Sequence, residues 1–121
     1  MSAGQDLKNY VDIETALSRV RGNKGLYRKM LGLFLNNEET GNLEKSLADK
    51  DYEAAERAAH GIKGMTGNLA LDMLFKKSSV LMEQLRYGPP EPIAVEEYFD
   101  ALERTRSYVT EVMASLDDQK N

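Results

Sequence analysis

Apolar residues recur every three to four positions along most of the chain, a spacing that is typical of amphipathic α-helices. No stretch alternates apolar and polar residues in the way that a half-buried β-strand requires. Two long helical patterns cover about residues 71–86 and 93–116. Their inner stripes are Leu71, Leu74, Ser78, Leu81 and Leu85, then Val95, Tyr98, Leu102, Thr105, Val109, Val112 and Leu116. The pattern therefore predicts an all-α fold.

The beginning of the chain predicts a short helix followed by a longer one. Asp12 suits the N-cap of a helix over about residues 13–20, which Gly22–Asn23 ends. A second helix begins at Lys24 and places a row of apolar side chains at helical spacing. These side chains are Leu26, Tyr27, Met30, Leu31 and Phe34. We assign this row to the core and not to a ligand pocket.

The continuation of this second helix is ambiguous. Asn36–Asn37 and Gly41 weaken the helical pattern, which allows a kink, a break or a continuation through Leu43 and Leu47. We favour one long, imperfect helix in this part of the chain.

Clear turn signals divide the rest of the chain. Asp51 suits the N-cap of the next helix, which should end near Gly67–Asn68 because both residues tolerate the left-handed conformation. The segment 87–92 carries a glycine and three prolines and interrupts the helical pattern. We interpret it as a loop between two helices and not as a proline-rich docking motif.

Short loops between long amphipathic helices predict an up-and-down four-helix bundle with a short additional N-terminal helix. Residues 1–10 are polar and are expected to form a flexible N-terminus. Residues 11–117 form the single domain, and residues 118–121 form a polar tail.

The helix after Asp51 carries the only histidine of the protein, His60. At 100° per residue, its apolar side chains form a stripe that faces a core. This stripe consists of Tyr52, Ala55, Ala59, Ile62, Thr66 and Leu69. His60 falls on the opposite, solvent-facing side, and Lys63, Gly64 and Gly67 share that side.

The glycines on this side are unusual, because glycine inside a helix is less stable than alanine by about 0.5–1 kcal/mol. Gly64 and Gly67 predict clearance for a bulky, anionic group that approaches the His60 ring, and Lys63 supplies a positive charge beside it. A lone histidine is more often a surface residue without a role, and a helical glycine often serves close packing. The combination on one face favours the functional interpretation.

Composition excludes several classes of function. A net charge of −4 without a large basic tract argues against nucleic acid as the main partner. The absence of cysteine excludes disulfides, and a single histidine makes a zinc site improbable. The apolar runs are too short to span a membrane, and the N-terminus has no signal-peptide pattern, so a cytoplasmic location is the default expectation.

At the histidine, the sequence His60-Gly61-Ile62-Lys63-Gly64 resembles the motif of histidine-containing phosphotransfer (HPt) domains of two-component phosphorelays, His-x-(Leu/Ile)-Lys-Gly followed by small residues. The likeness extends over about residues 11–88, and the last helix follows by pattern only. It includes Val11-Asp12-Ile13-Glu14 through Gly22-Asn23, then Leu26-Tyr27 to Leu31, Phe34, Leu74 and Leu81.

The resemblance implies a phosphocarrier in which His60 accepts a phosphoryl group from a receiver-domain aspartate and passes it to another. Lys63 would stabilise the phosphoryl charge. The partners would be receiver domains of response regulators or hybrid histidine kinases, which would bring Mg²⁺, so this chain would bind no cofactor itself. No P-loop or kinase glycine boxes occur, so we expect no autokinase activity. A small bundle with one active face is most simply a monomer.

The chain departs from the family pattern at two positions. Ala70 stands where a glycine commonly follows the motif, which we expect to alter only the turn. Met82 stands where the family often has Glu or Gln close to the active histidine. Glu83 and Gln84 are nearby in sequence but point elsewhere around the helix. We keep Gln84 as a possible receiver contact, with Glu56 and Arg57.

Two other functions remain open. The chain could be a helical interaction module that binds response regulators or kinases without being phosphorylated at His60. It could also be an enzyme that uses His60 as a general base, but this would require convergent acids in a pocket. Only Lys63, Glu56 and Arg57 lie on that side of the helix.

Overall fold

The computed structural model describes residues 3–118 of the chain, so the last three residues of the predicted polar tail lie outside the described part. Every regular element in that part is a helix. The helices are α1 (Ala3–Tyr10), α2 (Ile13–Arg19), α3 (Lys24–Leu35), α4 (Glu39–Ala48), α5 (Tyr52–Leu69), α6 (Asp72–Leu85) and α7 (Pro92–Asp118). None of them is long and apolar enough to cross a membrane.

The helices form the predicted up-and-down bundle. Helix α5 packs against α4 and α6, α6 packs against α7, and α7 packs against α3. Helices α3 and α4 together therefore occupy the fourth side. The buried stripes of α6 and α7 are those that the sequence predicts, apart from Val95, which is partly buried. The largest fully buried side chains are Tyr27, Tyr98, Phe34, Leu31, Leu43, Ile62, Leu71, Leu74 and Leu81.

The prediction of one long helix from Lys24 through Leu47 is wrong, because α3 ends at Leu35 and a separate helix, α4, begins at Glu39. The side-chain amide of Asn37 donates to the Phe34 carbonyl, and its oxygen accepts the backbone N–H of Thr40 at 3.0 Å. Asn37 thus ends one helix and starts the next, as expected of a residue whose side chain competes with backbone hydrogen bonds.

A second difference concerns the N-terminus, where the sequence predicts no helix before Asp12. Helix α1 packs against α6 and α7, and the Tyr10 ring lies 5.1 Å from the ring of Tyr108. Asp12 donates its backbone N–H to the Ala70 carbonyl at 2.9 Å, which ties this segment to the α5–α6 turn. Tertiary contacts therefore stabilise a helix that is too short and polar to be evident from periodicity.

Helix α5 also ends later than predicted. It continues through Leu69, and Ala70, not Gly67 or Asn68, takes the left-handed conformation with φ of 57°. Ala70 is buried, and a turn of this geometry reverses the chain directly into α6. The other predicted starts are confirmed: Asp12 and Asp51 accept the backbone N–H groups of Thr15 and Ala54 at 3.1 Å each.

Candidate functional site

His60 lies on the exposed side of α5, as the helical wheel predicts. The opposite side of the helix faces the core, where Ala55, Ala59, Ile62 and Thr66 are completely buried. Because these small and medium-sized side chains pack tightly against the neighbouring helices, the helix has little freedom to rotate. The bundle therefore holds the His60 ring at a fixed place on its surface.

The register between α5 and α6 determines which residues surround His60. The two helices are antiparallel and join at the Ala70 turn, so residues at equal distances from the turn lie beside each other. His60 Nδ1 lies 3.4 Å from Met82 Sδ. One turn before His60, the Glu56 carboxylate pairs with Arg86 Nε at 3.2 Å.

The Glu56–Arg86 pair extends to a third charge, because Arg86 Nη1 lies 3.4 Å from the Glu83 carboxylate. The hydrogen bond to Glu56, together with the charge of Glu83, raises the pKa of Arg86. Arg86 thereby compensates two negative charges on the flank of His60. This favours the approach of an anionic group, which two uncompensated carboxylates would repel.

Lys63 lies on the same side of α5 as His60, but its ammonium group is directed toward the other end of the site. Lys63 Nζ lies 5.9 Å from the centroid of the Phe75 ring, within the range of a cation–π contact. Among residues 6–116, whose side chains the structure describes, no carboxylate lies within ion-pair distance of Lys63. Its charge is therefore available to an incoming anion.

The glycines of α5 differ in what a side chain would meet. A Cβ atom at Gly64 would meet no atom within 4 Å, so packing inside the molecule does not explain this glycine. A Cβ atom at Gly67 would lie 3.1 Å from Cε1 of Phe75. At Gly61 it would lie 2.9 Å from the Glu39 carboxylate. Clearance for an external group thus fits Gly64, and the same prediction for Gly67 is corrected, because Phe75 uses that space.

The remaining predicted contact residues lie at the edges of the site. Gln84 accepts the backbone N–H of Glu91 at 2.8 Å, so its amide oxygen stabilises the α6–α7 loop and is not engaged with His60. Arg57 is exposed and lines a depression between α4 and α5, together with Lys45 and others. The structure therefore places Glu56 on the α6 flank of His60 and Arg57 on the α4 flank.

Sequence reasoning missed Phe75 and Val80. Val80 is 49% exposed and lines an open depression beside His60 with Lys63, Met82 and Gln84. For Phe75 the signal was the position of the α5–α6 turn, because the antiparallel register that pairs His60 with Met82 also pairs Gly67 with Phe75. Among the described residues, no cluster of three or more His, Cys, Asp or Glu side chains could hold a metal ion.

An all-helical bundle that presents one histidine on a helix face, beside a glycine without packing function and an uncompensated lysine, matches one class of signalling protein. The family model of the Hpt domain matches residues 29–115, which include most of the bundle and α7 up to residue 115. The chain therefore belongs to the Hpt domain family. Searches among curated proteins and among solved structures find no match. Hpt domains are phosphocarriers, not enzymes, and act in phosphotransfer within two-component systems.

Proposed function

We propose that this protein is a phosphorelay intermediate. His60 accepts a phosphoryl group from the aspartyl phosphate of one receiver domain and passes it to the aspartate of another. The observation that carries the proposal is the open space at Gly64, one helical turn beyond the exposed His60 ring. No contact inside the protein requires a glycine at position 64, but a phosphoryl group that approaches His60 would need the space that a side chain there would occupy.

The proposed transfer is an in-line displacement at phosphorus. A lone pair on a ring nitrogen of His60 attacks the phosphorus atom, a nitrogen–phosphorus bond forms, and the phosphorus–oxygen bond to the receiver aspartate breaks. The aspartate leaves as a carboxylate. Transfer to the second receiver reverses these steps, with its aspartate as the nucleophile. An imidazole suits this role because an unprotonated ring nitrogen carries a lone pair that can attack phosphorus.

Charge compensation is divided between the two partners. The Lys63 ammonium group, which lies over the Phe75 ring, can turn toward the phosphoryl oxygens, since Lys63 is only half-buried and a lysine side chain reorients rapidly at a protein surface. The receiver supplies Mg²⁺, and this chain contributes Lys63 as the positive charge and no ATP chemistry. We further propose that the protein acts as a monomer in the cytoplasm, where one exposed histidine serves one receiver at a time.

A non-phosphorylated interaction module is the second candidate. The exposed Val80 beside Met82 would favour binding to an apolar patch of a partner in either case. The open Gly64 favours phosphotransfer, because protein binding alone would gain from a side chain at this position.

The test is a transfer assay with a phosphorylated receiver domain and Mg²⁺. We expect an acid-labile, base-stable phosphate on the wild-type protein and none on His60→Ala, with the helical content unchanged because His60 is exposed. Glu53→Ala, which removes an exposed side chain from the first turn of α5, away from the site, is the control and should still be labelled. Binding of receivers without labelling of the wild type would support the interaction module instead.

A further inference from the structure

Glu39, the first residue of α4, places its carboxylate group directly on α5, at the position next to His60. A Cβ atom at Gly61 would lie 2.9 Å from Glu39 Oε2 and 3.4 Å from its Cγ and Cδ atoms. The side chain of Glu39 therefore occupies the space that a side chain at position 61 would fill. The glycine thus allows a carboxylate from a neighbouring helix to lie beside the reactive histidine.

The dipole of α4 explains only part of this arrangement. A carboxylate in the first turn of a helix is favourable, because it lies near the positive end of the helix dipole. This effect does not require Glu39 to lie on α5, where the glycine beneath it makes the helix less stable than alanine would by about 0.5–1 kcal/mol. The stability of α4 therefore does not explain why the carboxylate lies at Gly61.

The charge of Glu39 has no counter-ion within the part of the chain whose side chains the structure describes. Its Oε1 atom accepts a long hydrogen bond from the Asn42 amide at 3.5 Å, and no lysine or arginine lies within ion-pair distance. On the α6 flank of the site, in contrast, Arg86 pairs with both Glu56 and Glu83. The carboxylates on that flank are compensated within the chain, and the carboxylate on the α4 flank is not.

Two cations on the α4 flank also lack an ion pair. Arg57 and Lys45 are exposed and line, together with Glu39, a depression of about 340 Å³ between α4 and α5. Neither of them pairs with a carboxylate among the described side chains. This flank therefore presents one negative and two positive groups to a partner that covers it, and a partner with the opposite charges would be favoured.

We propose that Glu39 is a specificity-determining residue that selects receiver domains with a lysine or arginine on the rim that faces α4. The inference rests on the proposed function for the identity of the partner. A phosphoryl group that arrives at His60 is negatively charged, so an unpaired carboxylate nearby disfavours its approach unless a cation accompanies it. A receiver that brings this cation forms an ion pair with Glu39, whereas a receiver with an acidic or apolar rim leaves the carboxylate unpaired and is disfavoured.

Gly61 contributes to this selection because it holds the Glu39 carboxylate in place. Alanine at this position would push the carboxylate aside at little cost, since the contact is with the flexible end of the side chain. Gly61→Ala therefore displaces the charge without removing it, whereas Glu39→Gln removes the charge and keeps the shape. The two variants separate the effect of position from the effect of charge.

The first experiment measures the Kd of an unphosphorylated receiver domain by calorimetry, with the receiver that binds the wild type most tightly. We expect the Kd to rise about threefold in Glu39→Gln and about tenfold in Glu39→Lys, because an ion pair at the rim of an interface contributes modestly and like charges repel. Glu38→Gln removes the neighbouring exposed carboxylate and is the matched control, which should bind as wild type does. An equal effect of Glu38→Gln and Glu39→Gln would overturn the proposal.

The second experiment combines Glu39→Gln and Gly61→Ala in a double-mutant cycle. Gly61→Ala alone should weaken binding, because the displaced carboxylate no longer meets the cation of the receiver. The double variant should bind no more weakly than Glu39→Gln, since the added methyl group acts only through the carboxylate. Additive losses would show that the methyl group meets the receiver directly, and the proposed role of the Glu39–Gly61 contact would be wrong.

A third measurement shows whether Glu39 acts on the receiver or on His60 itself. Phosphoramidate is a small phosphoryl donor without a rim that could contact Glu39. It should therefore label the wild type and Glu39→Gln at rates that agree within about twofold. A larger difference would place the effect of Glu39 at the histidine and would contradict selection of the receiver.

The two proposals fail in different ways. If a receiver binds the wild type and loses affinity for Glu39→Gln but transfers no phosphoryl group, selection by Glu39 stands and the relay function is wrong. If receivers label the wild type but their Kd does not respond to Glu39→Gln, the relay function stands and selection by Glu39 is wrong. If no receiver binds the wild type, both proposals are wrong.

Discussion

At the scale of single residues, Gly64 and Gly67 share one helix and one face but have different reasons for lacking a side chain. Gly67 is adjacent to the Phe75 ring, so it belongs to the packing between α5 and α6. Gly64 faces open space. Glycine at position 64 therefore makes the helix less stable than alanine would, and no packing contact offsets this loss.

Gly64→Ala should raise the free energy of unfolding by about 0.5–1 kcal/mol, because alanine is the better helix former and meets no neighbour. Gly64→Glu should keep the fold but reduce phosphoryl transfer by about a hundredfold, through its bulk and its like charge. Urea unfolding and the receiver transfer assay measure the two effects. Transfer at the wild-type rate in Gly64→Glu would contradict the clearance argument.

Lys63→Ala should slow phosphoryl transfer by about tenfold, because it removes the positive charge that this chain contributes. Stability should change by no more than about 1 kcal/mol, since the ammonium group of Lys63 makes a cation–π contact with the Phe75 ring and no ion pair within the described side chains. Single-turnover transfer from a labelled receiver measures the rate. Lys29→Ala removes an exposed lysine from α3 and is the matched control; an equal effect in both variants would indicate a general charge effect.

At the scale of elements, capping side chains decide where most of the helices begin. Asp12, Asn23 and Asp51 each accept a backbone N–H of the first turn that follows. Asn37 acts at the end of α3 and the start of α4. These contacts are local, so they form wherever the sequence offers the right side chain next to a helical stretch.

The cap at Asp12 should make stability dependent on pH. The hydrogen bonds from the Thr15 hydroxyl and backbone N–H hold the pKa of Asp12 below its ordinary value of 3.8. The folded state thus prefers the ionised carboxylate. Its stabilising contribution is present above pH 3.8 and is lost as the pH falls through the lower folded-state value.

Asp12→Asn tests this dependence, because asparagine caps a helix without titrating in this range. Wild type should unfold at higher urea concentration than Asp12→Asn near neutral pH, and this advantage should shrink steadily as the pH is lowered below 3.8. A difference between the two proteins that stays constant over the whole range would show that the charge of Asp12 contributes nothing.

At the scale of the whole molecule, the core contains two completely buried tyrosines in unequal environments. The Tyr27 hydroxyl donates to the Leu69 carbonyl at 3.3 Å, which connects α3 to the end of α5. The Tyr98 hydroxyl has no partner within the described part of the protein. Burial raises the pKa of both phenols, so both remain protonated donors at neutral pH.

Tyr98→Phe should therefore raise the free energy of unfolding by about 1 kcal/mol, because it removes a buried polar atom without a protein partner. Tyr27→Phe, the matched substitution, should lower it by about the same amount, because it leaves the Leu69 carbonyl without its donor. Chemical denaturation of both variants measures the contrast. Equal destabilisation of both would mean that the Tyr98 hydroxyl is hydrogen-bonded in solution.

The sequence by itself determined the all-helical class, most helix boundaries, the buried stripes and the exposure of His60. These features follow from periodicity and from capping side chains within a few residues, so neighbouring sequence is sufficient to specify them. The HPt motif around His60 indicated the family for the same reason, since its five residues are contiguous.

Only the tertiary structure decided the rest. Helix α1 is stabilised by the packing of Tyr10 against Tyr108, which is distant in sequence. The Met82 contact with His60 and the use of the Gly67 space by Phe75 depend on the register of two antiparallel helices. That register is set by the turn at Ala70 and by the core beneath it. Contacts between distant residues arise from the packing of the whole bundle, and no local pattern encodes them.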